Sequence, residues 1–204
     1  MFQILLKFLD DIIIGPEPIK TISIALAATI IMCVSVIIIG FIIDKLERLE
    51  LRLFTKIFSE QKAVFIVDRL TFPGTMLHEL SHALFAWATG AHVKKVKMLT
   101  FFDSHRLGYV NFQPTGKKSQ QRIQLALTSC APVLMGMIEL HILILLIQTT
   151  VSIWLQILLI YLFISILNHM SMSEQDIKNY LKGLLSVFPI IMLFCYATRL
   201  FTRI

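Results

Sequence analysis

Long uncharged apolar runs alternate with short charged stretches along this chain, and the runs have the lengths of membrane-crossing helices. Residues 1–19 make an amphipathic lead with Asp10 and Asp11, halted at Gly15-Pro16-Glu17-Pro18. No small-residue cleavage pattern follows it, which argues against a secretory signal. Residues 21–43 hold no charge and suffice to cross roughly 30 Å of hydrocarbon. From Asp44 to Gln61 the spacing turns helical and two-faced. Leu46, Leu49, Leu53 and Ile57 oppose Lys45, Arg48, Arg52 and Lys56, which predicts a helix lying at the interface. Residues 72–88 predict a further helix, with Pro73 in its first turn and Gly90 as its C-terminal cap.

The pattern then changes period. Val93, Val96 and Met98, followed by Leu107-Gly108-Tyr109-Val110-Asn111-Phe112, are β-type runs on either side of the polar Asp103-Ser104-His105-Arg106, and they predict a small hairpin. Such backbone can sit at membrane depth only where protein or water covers it. Apolar runs resume over residues 123–147, 151–167 and 181–200. The expected fold is therefore an all-α integral membrane protein of about five transmembrane helices, with a small β-hairpin after the 72–88 helix. Residues 1–62 form the amphipathic lead, first span and interfacial helix; residues 63–204 form the membrane-embedded core.

Composition agrees. Of 204 residues 56% are hydrophobic and 16% charged, against nearer a quarter charged in soluble domains. The net charge of +6 suits anionic lipid headgroups, and Lys94, Lys95 and Lys97 read as headgroup contacts. Nucleic acid is excluded as a partner, because the basic residues are spread among loops rather than gathered on one face. Eleven Lys/Arg lie on the hairpin side against eight opposite, which favours a cytoplasmic hairpin. Cys33, Cys130 and Cys195 stand alone in separate apolar runs, so they form neither a disulfide framework nor a thiolate site.

Chemistry concentrates in His78-Glu79-Leu80-Ser81-His82. On a helix, His78 and His82 at i and i+4 share a face and can both offer a ring nitrogen to one metal, while Glu79 sits beside it as a base for water. From this chain's own His and Glu content a chance match is expected roughly 0.006 times, so accident explains little. The competing account is a polar cluster that holds helices together. A zinc site needs a third protein ligand, and the candidates are His92, His105, Glu139, His141, His169 and Asp176. His82 lies eight residues before Gly90, about 12 Å below that face. Asp176 is in a loop on the same face, whereas Glu139 is about 24 Å deep, so depth favours Asp176 and leaves Glu139 as the alternative. Asp176 also fits the first turn of a helix capped by Ser173, a role compatible with ligation. Asn168 fits an interhelical hydrogen bond, and Pro132 and Gly136 fit helix bending and close packing.

Residues 168–176, Asn168-His169-Met170-Ser171-Met172-Ser173-Glu174-Gln175-Asp176, resemble the second signature of the site-2 protease family, N-x-x-P-x-x-x-x-D. Ser171 stands where the family has Pro, and Ile177 where it has Gly. Phe72-Pro73-Gly74-Thr75, Gly90-Ala91-His92-Val93 and Ala131-Pro132 with Gly136 are similar too, and the likeness covers roughly residues 65 to 185. The resemblance implies a divergent, short member. Its one Zn2+ would be held by His78, His82 and Asp176, with Glu79 as the catalytic base. The implied activity is a multi-pass zinc metalloendopeptidase, in a bacterial-type cytoplasmic membrane, hydrolysing peptide bonds in or near membrane segments. Its partners would be a membrane protein or peptide substrate and the lipid bilayer. Asn168 would orient substrate or oxyanion, and the Gly108, Tyr109 and Val110 run would pair with an extended substrate. Two other readings remain open: a zinc-binding membrane protein without protease activity, and a different membrane metalloprotease class using Glu139.

Overall fold

The computed structural model describes residues 2–98 and 108–201, the side chain of Asp68 aside. Seven helices and one hairpin follow in order: α1 (Phe2–Ile12), α2 (Ile19–Thr55), α3 (Glu60–Val64) with a π-helical turn over Phe65–Arg69, α4 (Phe72–Ala88), β1 (His92–Lys97), β2 (Tyr109–Gln113), α5 (Lys118–Thr149), α6 (Ile153–His169) and α7 (Glu174–Phe201). Helices α2, α5 and α7 are long and apolar enough to cross a membrane. The expected five spans are not all of that kind. Helices α4 and α6 have 17 residues each, about 25 Å of rise against roughly 30 Å of hydrocarbon.

The charged stretch from Asp44 is not a separate helix. It continues α2 through 37 residues, about 55 Å. Nothing between Ile43 and Thr55 breaks a helix, and Arg48 Nε lies 3.0 Å from Asp44 across one turn. The polar end of α2 thus projects rigidly from the span and reaches the α6–α7 link.

The core forms where α5, α7 and α2 meet. Val36, Ala126, Cys130, Val133, Met170, Met172, Tyr180 and Val187 are buried together there. Small residues set the distances. A methyl carbon at Gly183 of α7 would lie 2.0 Å from the Arg122 carbonyl oxygen of α5, and one at Gly74 of α4 would lie 1.9 Å from the Ser165 carbonyl oxygen of α6. Both helix pairs can close to this distance only because a Cβ is missing.

The hairpin is antiparallel, with Val93 opposite Phe112, Val96 opposite Val110 and Lys97 opposite Tyr109. Val93 and Val96 are three residues apart, so strict alternation would send them to opposite faces. The bulge between Val93 and Lys95 restores the phase and puts both valines on the face of Val110 and Phe112. The polar loop expected over residues 103–106, with Leu107, lies outside the described residues.

Helix α1 packs through Leu6 and Leu9 against Ile24, Ala25 and Ala28 of α2. Asp10 fastens it, with Lys20 Nζ 2.9 Å from its carboxylate and Arg199 of α7 bonded to the same oxygen. The hydrogen bond from Lys20, with Arg199 nearby, holds the Asp10 carboxyl below the usual carboxylate range. A depressed pKa stabilises the folded state above the unfolded value, and that contribution is lost as pH falls through the folded value. Hydrogen exchange over residues 2–12 should therefore stay slow at neutral pH and quicken only in acid below the ordinary carboxylate range, and Asp10→Asn should show the fast exchange already at pH 7.

Candidate metal centre

Helix α4 owes its limits to its sequence. Pro73 occupies its first turn. Gly90 ends it at φ +81°, where its N–H donates to Trp87 O (3.0 Å) and that of Ala91 to Ala86 O (2.8 Å), the paired bonds of a Schellman motif. Between these stops His78 and His82 face the same way, toward α5 and the end of α6.

Main-chain carbonyls fix both rings. His78 Nδ1 lies 2.5 Å from the carbonyl oxygen of His169, and His82 Nδ1 lies 2.8 Å from that of Thr128. A carbonyl only accepts, so each Nδ1 carries the proton and donates it, and each Nε2 of the neutral ring is left with a lone pair. Those two Nε2 atoms stand 3.1 Å apart, with the rings edge to face at 78°. Asp176 Oδ2 lies 3.8 Å from His82 Nε2. All three ligand atoms fall within 4.8 Å of one another. Tetrahedral zinc with bonds of about 2.0–2.1 Å sets its ligand atoms about 3.4 Å apart, and the observed 3.1 and 3.8 Å bracket that value. The three residues fit one divalent ion, and the donor set of two imidazoles and a carboxylate is one that zinc accepts.

Asp176 is also a capping residue. Ser173 Oγ (2.5 Å) and Ser173 N–H (3.2 Å) donate to its Oδ2, and the Asp176 N–H donates to Ser173 Oγ at 3.1 Å. This reciprocal box orients the carboxylate at the start of α7. Capping and a place in the candidate ligand group coincide in one side chain.

Glu79 is half-buried on the turn between the histidines, and the hairpin closes against it. A methyl carbon at Gly108 would lie 2.8 Å from Glu79 Cγ. Gly108 is thus brought beside Glu79, and the half-buried Tyr109 and Val110 follow it in β2. Asn168 is placed otherwise. Its Nδ2 donates to Glu50 Oε2 of α2 at 2.7 Å, and three residues on Ser171 Oγ reaches toward Glu47 at 3.4 Å. Met172 fills the notch at Gly40, where an added methyl would lie 2.8 Å from its Cγ. Glu47, Glu50 and Met172 tie the α6–α7 link to α2. They were missed in the sequence, where the only signal is the i, i+3 placement of two acids on one face.

The other candidates stay outside the ligand group. Glu139 lines a pocket of about 10 Å³ with Gly74, His78, Ser81 and His169, room for about one water, but is not in the ligand cluster. The His169 ring bonds to Thr71 Oγ1 at 2.7 Å. His92 and His141 are exposed, and His105 lies outside the described residues. A larger cleft of about 640 Å³, walled by Asp44, Glu47, Arg48, Ser171 and Glu174, reaches His78.

No protein-family model, curated protein or solved structure matches this chain. The site therefore stands on its geometry.

Zinc titration of the purified protein in detergent checks the ligand set. His82→Ala should abolish binding. Asp176→Asn should weaken it beyond the roughly 10- to 100-fold typical of outer-shell changes, while Glu139→Gln leaves it unchanged.

Proposed function

We propose that the protein is a multi-pass integral membrane zinc metalloendopeptidase, with α4 and α6 embedded beside the three longer helices, and that it hydrolyses peptide bonds in or near membrane segments of its substrates. The convergence of His78 Nε2, His82 Nε2 and Asp176 Oδ2, with Glu79 on the same helix, carries this reading. Zinc bound there supplies Lewis acidity, which draws the pKa of water toward neutrality and polarises a carbonyl.

The chain's own residues do the rest. His78, His82 and Asp176 hold the ion, and their carbonyl and Ser173 partners fix their orientation. Glu79 takes a proton from the attacking water and hands it to the departing amine. A substrate helix hides its carbonyls in its own hydrogen bonds, so the segment to be cut has to be extended first. The hairpin run at Gly108, Tyr109 and Val110, lying against Glu79, suits the capture of such a strand by main-chain pairing. Asn168 anchors the link on Glu50 rather than facing the ligand group. The resemblance to the site-2 protease family supports the same assignment.

A second reading, a zinc-binding protein without hydrolytic activity, shares the metal centre and differs only at Glu79. Glu79→Gln separates the two. With quenched-fluorescence apolar peptides in micelles, the protease reading expects hydrolysis to fall by roughly 10²- to 10⁴-fold while zinc content stays at one ion. Zinc-dependent hydrolysis that is unaffected by the substitution would remove Glu79 from the mechanism.

A further inference from the structure

Helix α5 runs unbroken from Lys118 to Thr149 although Pro132 lies inside it. Proline has no N–H, so the carbonyl four residues earlier loses its helical donor. That carbonyl belongs to Thr128, whose residue is fully buried. A bare acceptor in an apolar interior is costly and has to find another donor. The donor it finds is His82 Nδ1, at 2.8 Å.

We propose that Pro132 is a positioning residue of the metal centre: by withholding its N–H it frees the Thr128 carbonyl to hold His82 with Nε2 turned toward His78 and Asp176. The inference rests on reading these three residues as a metal site. Its logic is repeated at the other ring. His78 donates to the carbonyl of His169, in the last turn of α6, one of the four carbonyls that every helix end leaves without an internal partner. Each histidine is thus oriented by an acceptor that a helix gave up, one at a terminus and one at a proline. Restoring an N–H at position 132 sets a helical donor in competition for the Thr128 oxygen. It also removes the ring that crowds this carbonyl out of line. His82 then loses the bond that selects its tautomer, an outer-shell loss of the kind that lowers metal affinity.

The chain supplies its own control. Pro189 lies inside α7, four residues after Leu185, and among the described residues no histidine donates to the Leu185 carbonyl. The test compares Pro132→Ala and Pro189→Ala in the full chain, reading Zn2+ affinity, the visible spectrum of the Co2+ form, and the melting temperature of the metal-free protein. Pro132→Ala should weaken Zn2+ by roughly 10- to 100-fold and alter the Co2+ bands, while the metal-free protein melts at or above the wild-type temperature because a helix-breaking residue has gone. Pro189→Ala should leave affinity and spectrum unchanged. Unchanged affinity in Pro132→Ala overturns the inference, as does an affinity loss matched by a fall in melting temperature, which would assign the proline to packing alone. If the wild-type chain binds neither Zn2+ nor Co2+, the metal reading itself falls and takes this role with it.

Discussion

Two imidazoles that each give their Nδ1 proton to a main-chain carbonyl have only lone pairs left to turn toward one another. Here those lone pairs meet at 3.1 Å, with a carboxylate oxygen 3.8 Å from one of them. Acceptors at such range repel unless a proton or a metal ion lies between them, and the three groups could hold a metal ion there. The elements around the site hold these atoms together. Helix α4 spaces the rings by one turn, α5 and the end of α6 supply the carbonyls, and the Ser173 box aims the acid.

The α6–α7 link is the piece that joins these parts. With the end of α6 it contributes the His169 carbonyl that orients His78 and the Ser173 cap that orients Asp176, so two of the three candidate ligands depend on the end of α6 and the four irregular residues 170–173. Irregular backbone holds its shape only when its neighbours over-determine it, and the polar extension of α2 does so through Glu50, Glu47 and the Gly40 notch. Helix α2 is therefore as much a part of the centre as the helix that bears the histidines. The 640 Å³ cleft opens beside this fastening and reaches His78.

Most of this was legible in the residues where side chains carry the signal. Helical period, Pro73 and Gly90 marked α4; β-type runs marked the hairpin; i, i+4 spacing and depth pointed to the same three groups that the fold draws together. What could not be read falls into two kinds. The first is continuity: an alternating charged stretch has the same spacing whether it lies in an interface or extends a span, and only the lack of a breaker after Ile43 tips it to one helix. The second is backbone chemistry. The Thr128 and His169 carbonyls have no side-chain signature, and their roles follow from where helices run out of donors. The number of spans also exceeded what a reading by hydropathy alone can fix, because α6 is apolar but only 17 residues long, and α4, of the same length, carries His78, Glu79 and His82.

The most direct test of the account is X-ray absorption at the zinc edge of the metal-loaded chain. It predicts a four-coordinate shell of nitrogen and oxygen at about 2.0–2.1 Å, with outer-ring scattering from two imidazoles, and no protein-bound zinc signal in His82→Ala. A shell containing sulfur at about 2.3 Å, or one without imidazole scattering, would contradict it.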